Sequence, residues 1–212
     1  MDTLHELATR IGLTATEKYG FALAGGYAIQ AHGFLDRISE DVDLFTVNEA
    51  RDQFGEAVAA ATAAYRSAGF DVEVPLSNDG FARLLITTPD GHSVKVELGI
   101  DWRAHPPVGL SVGPVLHPDD AVGNKVAALY GRAEVRDFVD VDAVLRSGRY
   151  STGDLLRLAA TADPGFEPEM FVHALNALDR LPDQAFGVHG LSPSQIAELR
   201  NRFKTWAAEI TG

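Results

Sequence analysis

Arg37-Ile38-Ser39-Glu40-Asp41-Val42-Asp43-Leu44-Phe45 decides how this chain is read. Two aspartates stand one residue apart inside an apolar, β-branched run. Residues i and i+2 of a strand point to the same side, so Asp41 and Asp43 aim two carboxylates at one place. Like charges held that close repel, and burial raises the cost. A divalent cation removes the conflict, and hard oxygen ligands suit magnesium. The alternative is a solvated strand end with two surface acids, but Val42, Leu44 and Phe45 are apolar company for that.

Upstream lies Phe21-Ala22-Leu23-Ala24-Gly25-Gly26-Tyr27-Ala28. It reads as a short buried strand over 21–24, a Gly25-Gly26 turn, and a short helix over 27–32 closed by Gly33. Glycine lets a backbone approach a phosphate, and the helix start offers unpaired amides. A Gly-Gly pair alone is a weak signal, more often a plain tight turn. Ahead of paired acids, it points to chemistry on a nucleoside triphosphate.

Working outward, 3–18 reads as a helix and 42–46 as the second strand. A long Ala-rich helix covers 50–69, and a third strand 70–74. Two β-rich runs, 81–88 and 93–101, flank Pro89-Asp90-Gly91, a hairpin signal. In the second arm Val94, Val96, Leu98 and Ile100 alternate with Lys95, Glu97, Gly99 and Asp101, so one face is core and the other polar. Two-metal phosphoryl transfer usually wants a third carboxylate. Glu97, mid-strand, is better placed to supply it than Asp101 at the strand end, and either is otherwise an exposed strand residue.

Prolines and glycines crowd 104–118, which marks a domain boundary. Helices follow over 119–131, 134–147, 152–162, 167–180 and 193–210, the last opened by the cap Ser192-Pro193. The expected fold is α+β: a mixed sheet with flanking helices over 1–103, a linker over 104–115, and a helical C-terminal domain over 116–212. The helical half carries Asn124-Lys125 and Arg136-Asp137-Phe138-Val139-Asp140. Lys125 could meet phosphate oxygens as a point charge. Asp137 and Asp140 share a helical face with Arg136, which is also how a solvated salt-bridge network looks.

Composition narrows the classes. The 212 residues are 46% hydrophobic and 23% charged, ordinary for a globular protein with a proper core. There is no cysteine, which removes disulfides, Cys-ligated zinc and thiol nucleophiles. The seven histidines lack zinc-enzyme spacing, and neither a phosphate-loop nor a Gly-x-Ser-x-Gly motif occurs. No signal peptide is visible and no apolar run reaches the roughly 18 residues of a membrane span, so no membrane role and a cytoplasmic location are expected. A net charge of −12 with pI near 4.9 argues against broad, non-specific nucleic-acid binding, though not against a local basic patch.

The combined pattern resembles the DNA polymerase β-type nucleotidyltransferase superfamily, whose signature is a glycine pair, a short helix and Asp-x-Asp on the next strand. More closely, it is similar to the AbiEii-type nucleotidyltransferase toxins, including the mycobacterial MenT toxins. Leu23 to Ala28 and Arg37 to Phe45 carry the likeness, and Lys125-Val126-Ala127-Ala128-Leu129 with Arg136-Asp137-Phe138-Val139-Asp140 extends it. The resemblance implies that Asp41 and Asp43 hold magnesium and the triphosphate. It places Ser39 near the phosphates and Lys125 on a nucleotide phosphate. Asp137 or Asp140 matches the family's downstream aspartate, Asp137 being favoured. Many superfamily members have Gly-Ser at the turn where this chain has Gly26-Tyr27, so phosphate binding would rest on backbone amides and Ser39.

The function so implied is transfer of NMP from an NTP to an RNA acceptor, the 3′ end of tRNA, which blocks translation, with a cognate antitoxin as partner. Two alternatives stand beside it. One is nucleotidylation of an aminoglycoside-type antibiotic, whose positive charge suits an acidic protein. The other is a non-catalytic nucleotide-binding module.

Overall fold

The structure is a computed structural model that describes residues 1–35, 37 and 39–212; Asp36 and Ile38, the latter inside the opening stretch, lie outside the described residues. The chain divides into two compact units. The first comprises residues 1–32 and 38–117, and the second 33–37 and 118–212.

The first unit is a seven-stranded mixed sheet. Its strands are β1 (Ala22–Leu23), β2 (Asp41–Thr46), β3 (Asp71–Ser77), β4 (Phe81–Thr87), β5 (Ser93–Ile100), β6 (Val108–Leu110) and β7 (Gly113–Val115). The spatial order is β3-β4-β5-β2-β1-β7-β6. β2 runs parallel to β5, β1 runs parallel to β7, and the other neighbours are antiparallel. The Pro-Asp-Gly turn joins β4 to β5 as its chemistry dictates, with Gly91 at φ 89° and Thr87 opposite Ser93. Within the stretch that reads as a linker, β6 and β7 extend the sheet, and Leu116 N–H continues that pairing by donating to the Leu23 carbonyl.

Two helices, α1 (Thr3–Ala15) and α3 (Phe54–Ser67), cover one side of the sheet. Val42 and Leu44 of β2, Ala82, Leu84 and Ile86 of β4, and Val94, Val96 and Leu98 of β5 are all buried there. The approach is close at Gly12. A Cβ at that position would come within 2.5 Å of Leu44 Cδ1 and Tyr65 Oη, and the Tyr65 hydroxyl donates to the Ala8 carbonyl to tie α3 to α1. Burial pushes the Tyr65 phenol pKa up, which keeps it a neutral donor.

The helix expected over 3–18 stops at Ala15, after which residues 17–19 form a tighter turn. That expected over 50–69 starts later, because residues 48–53 make a 3₁₀ segment. The short helix α2 (Gly25–Ala31) begins at the first glycine rather than after the second.

The second unit is helical: α4 (Pro118–Arg132), α5 (Val135–Arg146), α6 (Thr152–Ala162), α7 (Pro168–Asn176), α8 (Asp183–Gly187) and α9 (Pro193–Thr211). α4 packs closely on α6 at Gly123, where a Cβ would lie 2.8 Å from the Leu158 carbonyl oxygen. Phe138, Phe171, Phe203 and Trp206 interlock edge to face at the centre, with ring centroids 5.1–5.2 Å apart for Phe138–Phe203 and Phe171–Trp206. α9 opens with the expected cap: Ser192 accepts from Gln195 N–H, and Gln195 returns the bond. α8 is an addition to the expected helices; five residues are too few to show a helical period.

Candidate active site

Strand alternation sets which groups of the first unit share the face opposite α1 and α3. On β2 these are Asp41 and Asp43. β5 contributes Lys95 and Glu97, and β4 contributes Arg83 and Leu85. The pairing is in register, so each row crosses the sheet. Asp41 stands beside Lys95, which stands beside Leu85; Asp43 stands beside Glu97, which stands beside Arg83.

Three carboxylates therefore occupy one sheet face. Asp101 lies just past the end of β5, four residues beyond Glu97 and about 13 Å further along the chain. Its carboxylate accepts from Trp102 N–H.

Cations already stand among these acids. Lys95 Nζ lies 2.6 Å from Asp41 Oδ1. Arg83 Nε donates to Glu97 Oε1 at 2.9 Å, and the same guanidinium reaches that oxygen at 2.7 Å through a second nitrogen. This is the expected response of a sheet face that concentrates negative charge. It also bears on a metal: oxygen ligands close together, in local charge excess, are the donor set a hard divalent cation takes. Asp41, Asp43 and Glu97 offer hard oxygen donors of that chemical kind from one sheet face.

The glycine turn meets this row directly. Ala24 N–H donates to the Asp43 carbonyl at 2.8 Å. Gly25 has φ +59°, and a Cβ there would overlap the Asp43 carboxylate. Gly25 thus admits the side chain of Asp43 to the start of α2, where a carboxylate is favoured by the helix dipole. Gly26 is buried in the first turn of α2. Ser39 is buried, and the Tyr27 hydroxyl donates to its carbonyl at 3.1 Å, pinning the approach to β2.

In the second unit, Lys125 is buried on α4 and its Nζ lies 2.8 Å from Asp140 Oδ2. Asp140 is fully buried and also receives a two-pronged pair of bonds from Arg37, Nε to Oδ1 at 2.7 Å and the second nitrogen to Oδ2 at 2.8 Å. Asp137 is equally buried but accepts a similar fork from Arg132, at 2.8 Å on each oxygen. The solvated-network reading of these acids therefore does not hold. Both carboxylates point into the unit, and their partners come from α4 and from the segment before β2. Asp140, not Asp137, is the acid in contact with Lys125.

Sequence reasoning passed over several of these participants, Arg37, Lys95 and Arg83 among them. Arg37 opens the decisive stretch yet carried no role, because its partner is 103 residues away. Lys95 showed only as one of four polar positions in an alternating arm; the parallel register that sets it against Asp41 is not local.

The model of the family described as nucleotidyl transferase AbiEii toxin, type IV toxin–antitoxin system, matches residues 12–205. The chain belongs to this family and is a nucleotidyltransferase. No curated protein sequence matches it.

Among solved structures it is similar to MenT4, a nucleotidyltransferase toxin of Mycobacterium tuberculosis. The TM-score is 0.60 at 20% identity, over 97% of this chain and 87% of that one. It is also similar to JHP933 of Helicobacter pylori, with TM-score 0.60, 16% identity, and coverage of 98% and 92% respectively. At these identities the likeness is one of fold.

Proposed function

We propose that this nucleotidyltransferase is magnesium-dependent and transfers a nucleoside monophosphate from an NTP to a hydroxyl at the 3′ end of tRNA, which blocks translation. The observation that carries the reading is the row of Asp41, Asp43 and Glu97 on one sheet face, with Gly25 fitted to the Asp43 carboxylate. In the reaction the acceptor oxygen attacks the α-phosphorus in line, the bond to the bridging oxygen of the β-phosphate breaks, and pyrophosphate leaves. A bound divalent cation would lower the acceptor hydroxyl's pKa and neutralise charge on the leaving group.

Asp41 and Asp43 would hold that cation, with Glu97 as the third acid. Gly25, Gly26 and Ser39 would line the triphosphate, and Lys125 would meet a phosphate oxygen. Asp140 is the better assignment than Asp137 for the downstream acid, because it touches Lys125. The tRNA acceptor and a cognate antitoxin as regulatory partner rest on family membership. A cytoplasmic location suits both, and among the described residues no helix is long and apolar enough to cross a membrane.

The test is labelling with each of the four NTPs against total tRNA. Asp41→Ala and Asp43→Ala are expected to abolish transfer while their circular dichroism stays native. Retained transfer in both variants would sink the mechanism. The net charge of −12 favours one rival acceptor, a cationic aminoglycoside, and parallel reactions with such drugs decide between the two.

A further inference from the structure

The ammonium of Lys95 occupies a place that the metal reading leaves unexplained. It belongs to the strand beside β2, in register with Asp41, and sits 2.6 Å from Asp41 Oδ1. The Asp41 side chain is 11% exposed and that of Lys95 34%. The carboxylate is therefore fixed in the sheet, while the lysine stem has room to swing outward. Lysine is a compact, strongly hydrated point charge on a flexible chain, suited to leave and return. Arg83 makes a similar contact to Glu97 one row further on, but as a planar fork holding one oxygen twice.

Asp41 and Asp43 project from the same face two residues apart, so an uncompensated pair would repel. Some positive charge must stand among them when no metal does, and a metal that takes Asp41 must contend with whatever is there.

We propose that Lys95 is the resident counter-ion of the Asp41–Asp43 pair. It stabilises the acids in the metal-free protein and is displaced from Asp41 when a divalent cation binds, so that it lowers the site's metal affinity. The proposal rests on the reading of Asp41 and Asp43 as a metal centre. It implies a protein that folds stably without metal and loads it only at sufficient free concentration.

Isothermal titration of Mn2+ and Mg2+ into wild type, Lys95→Met and Lys95→Arg tests it, together with thermal unfolding of each metal-free protein. Lys95→Met is expected to unfold at a lower temperature without metal, to bind Mn2+ about threefold to tenfold more tightly, and to gain more thermal stability from it. Lys95→Arg, which keeps the charge, is expected to stay closer to wild type. Unchanged or weaker Mn2+ binding in Lys95→Met overturns the proposal. Should circular dichroism show Lys95→Met unfolded, Lys95→Gln is read by the same criteria. If wild type binds neither ion, or if Asp41→Asn leaves binding unaltered, the metal-centre reading itself falls and the proposal with it.

Discussion

Gly25 shows how one residue without a side chain can place a charged one. Its backbone takes a left-handed φ of +59°, and the space its Cβ would fill belongs to the Asp43 carboxylate. Gly25→Ala combines backbone strain with a clash that only movement of Asp43 relieves. We expect a stability loss of about 1–2 kcal/mol by urea denaturation and a larger, at least tenfold, loss of nucleotide transfer (order of magnitude). A variant that lost stability alone would show that Asp43 need not sit against the start of α2.

Asp140 and Asp137 give a contrast at the same scale. Both are fully buried and both accept an arginine fork, but Asp140 also answers Lys125. Removing its charge by Asp140→Asn leaves two largely buried cations facing an amide, a loss expected at about 3 kcal/mol or more. Arg132 is 43% exposed and can turn to water, so Asp137→Asn should cost less, about 1–2 kcal/mol. Chemical denaturation of the two variants side by side checks the order. Helical spacing alone could not distinguish these acids, because positions three apart share a face and the crossing helix chooses between them.

At the scale of elements, α6 and its cap offer a pH-dependent test. Ser151 caps α6 and Asp154 completes the box. Hydrogen bonds from the Ser151 hydroxyl, then from its backbone N–H and from Arg157, lower the Asp154 pKa from 3.8 to about 2. A carboxyl with a depressed folded-state pKa stabilises the fold above its unfolded value and loses that contribution as pH falls through the folded one. The contribution is therefore whole above about pH 4 and fades towards pH 2. Asp154→Asn should lower the melting temperature at neutral pH and converge on wild type in acid; parallel curves down to pH 2 would contradict the assignment. At Gly123 the constraint is steric. Gly123→Ala pushes on the Leu158 backbone and forces α4 away from α6, expected at about 1–3 kcal/mol.

The elements also show what a sequence can disclose. The two-residue period of β2 and β5 revealed both the buried and the acidic face, since alternation is local. Caps such as Ser192-Pro193 were equally visible. β6 and β7 were not: three residues each, rich in Pro and Gly, they look like a connector and become strands only because β1 offers an edge. The pairing of Lys95 with Asp41 was hidden for a related reason. It depends on a parallel register between strands 54 positions apart, which no local pattern encodes.

For the molecule as a whole, the governing quantity is the charge of −12. A polyanionic acceptor meets a surface that repels it beyond a few local contacts, so capture cannot rest on a broad phosphate footprint. If tRNA is the acceptor, its binding measured against salt should give a shallow slope, well below the loss of about 10³–10⁵ between 50 and 200 mM salt that follows from 6–10 phosphate contacts. A steep slope would require a basic surface that this composition does not provide.

The parallel pairing of β2 with β5 has a consequence in time. During synthesis β2 is made early, but its partner follows only after α3, β3 and β4, and β7 comes later still. Non-local parallel strands close slowly because a long loop must be ordered first. A nascent chain that has not yet exposed residue 100 cannot align Asp43 with Glu97. The complete acid row therefore cannot form until β5, which ends at Ile100 of the 212 residues, has been made, and an interrupted product ending before β5 lacks it altogether.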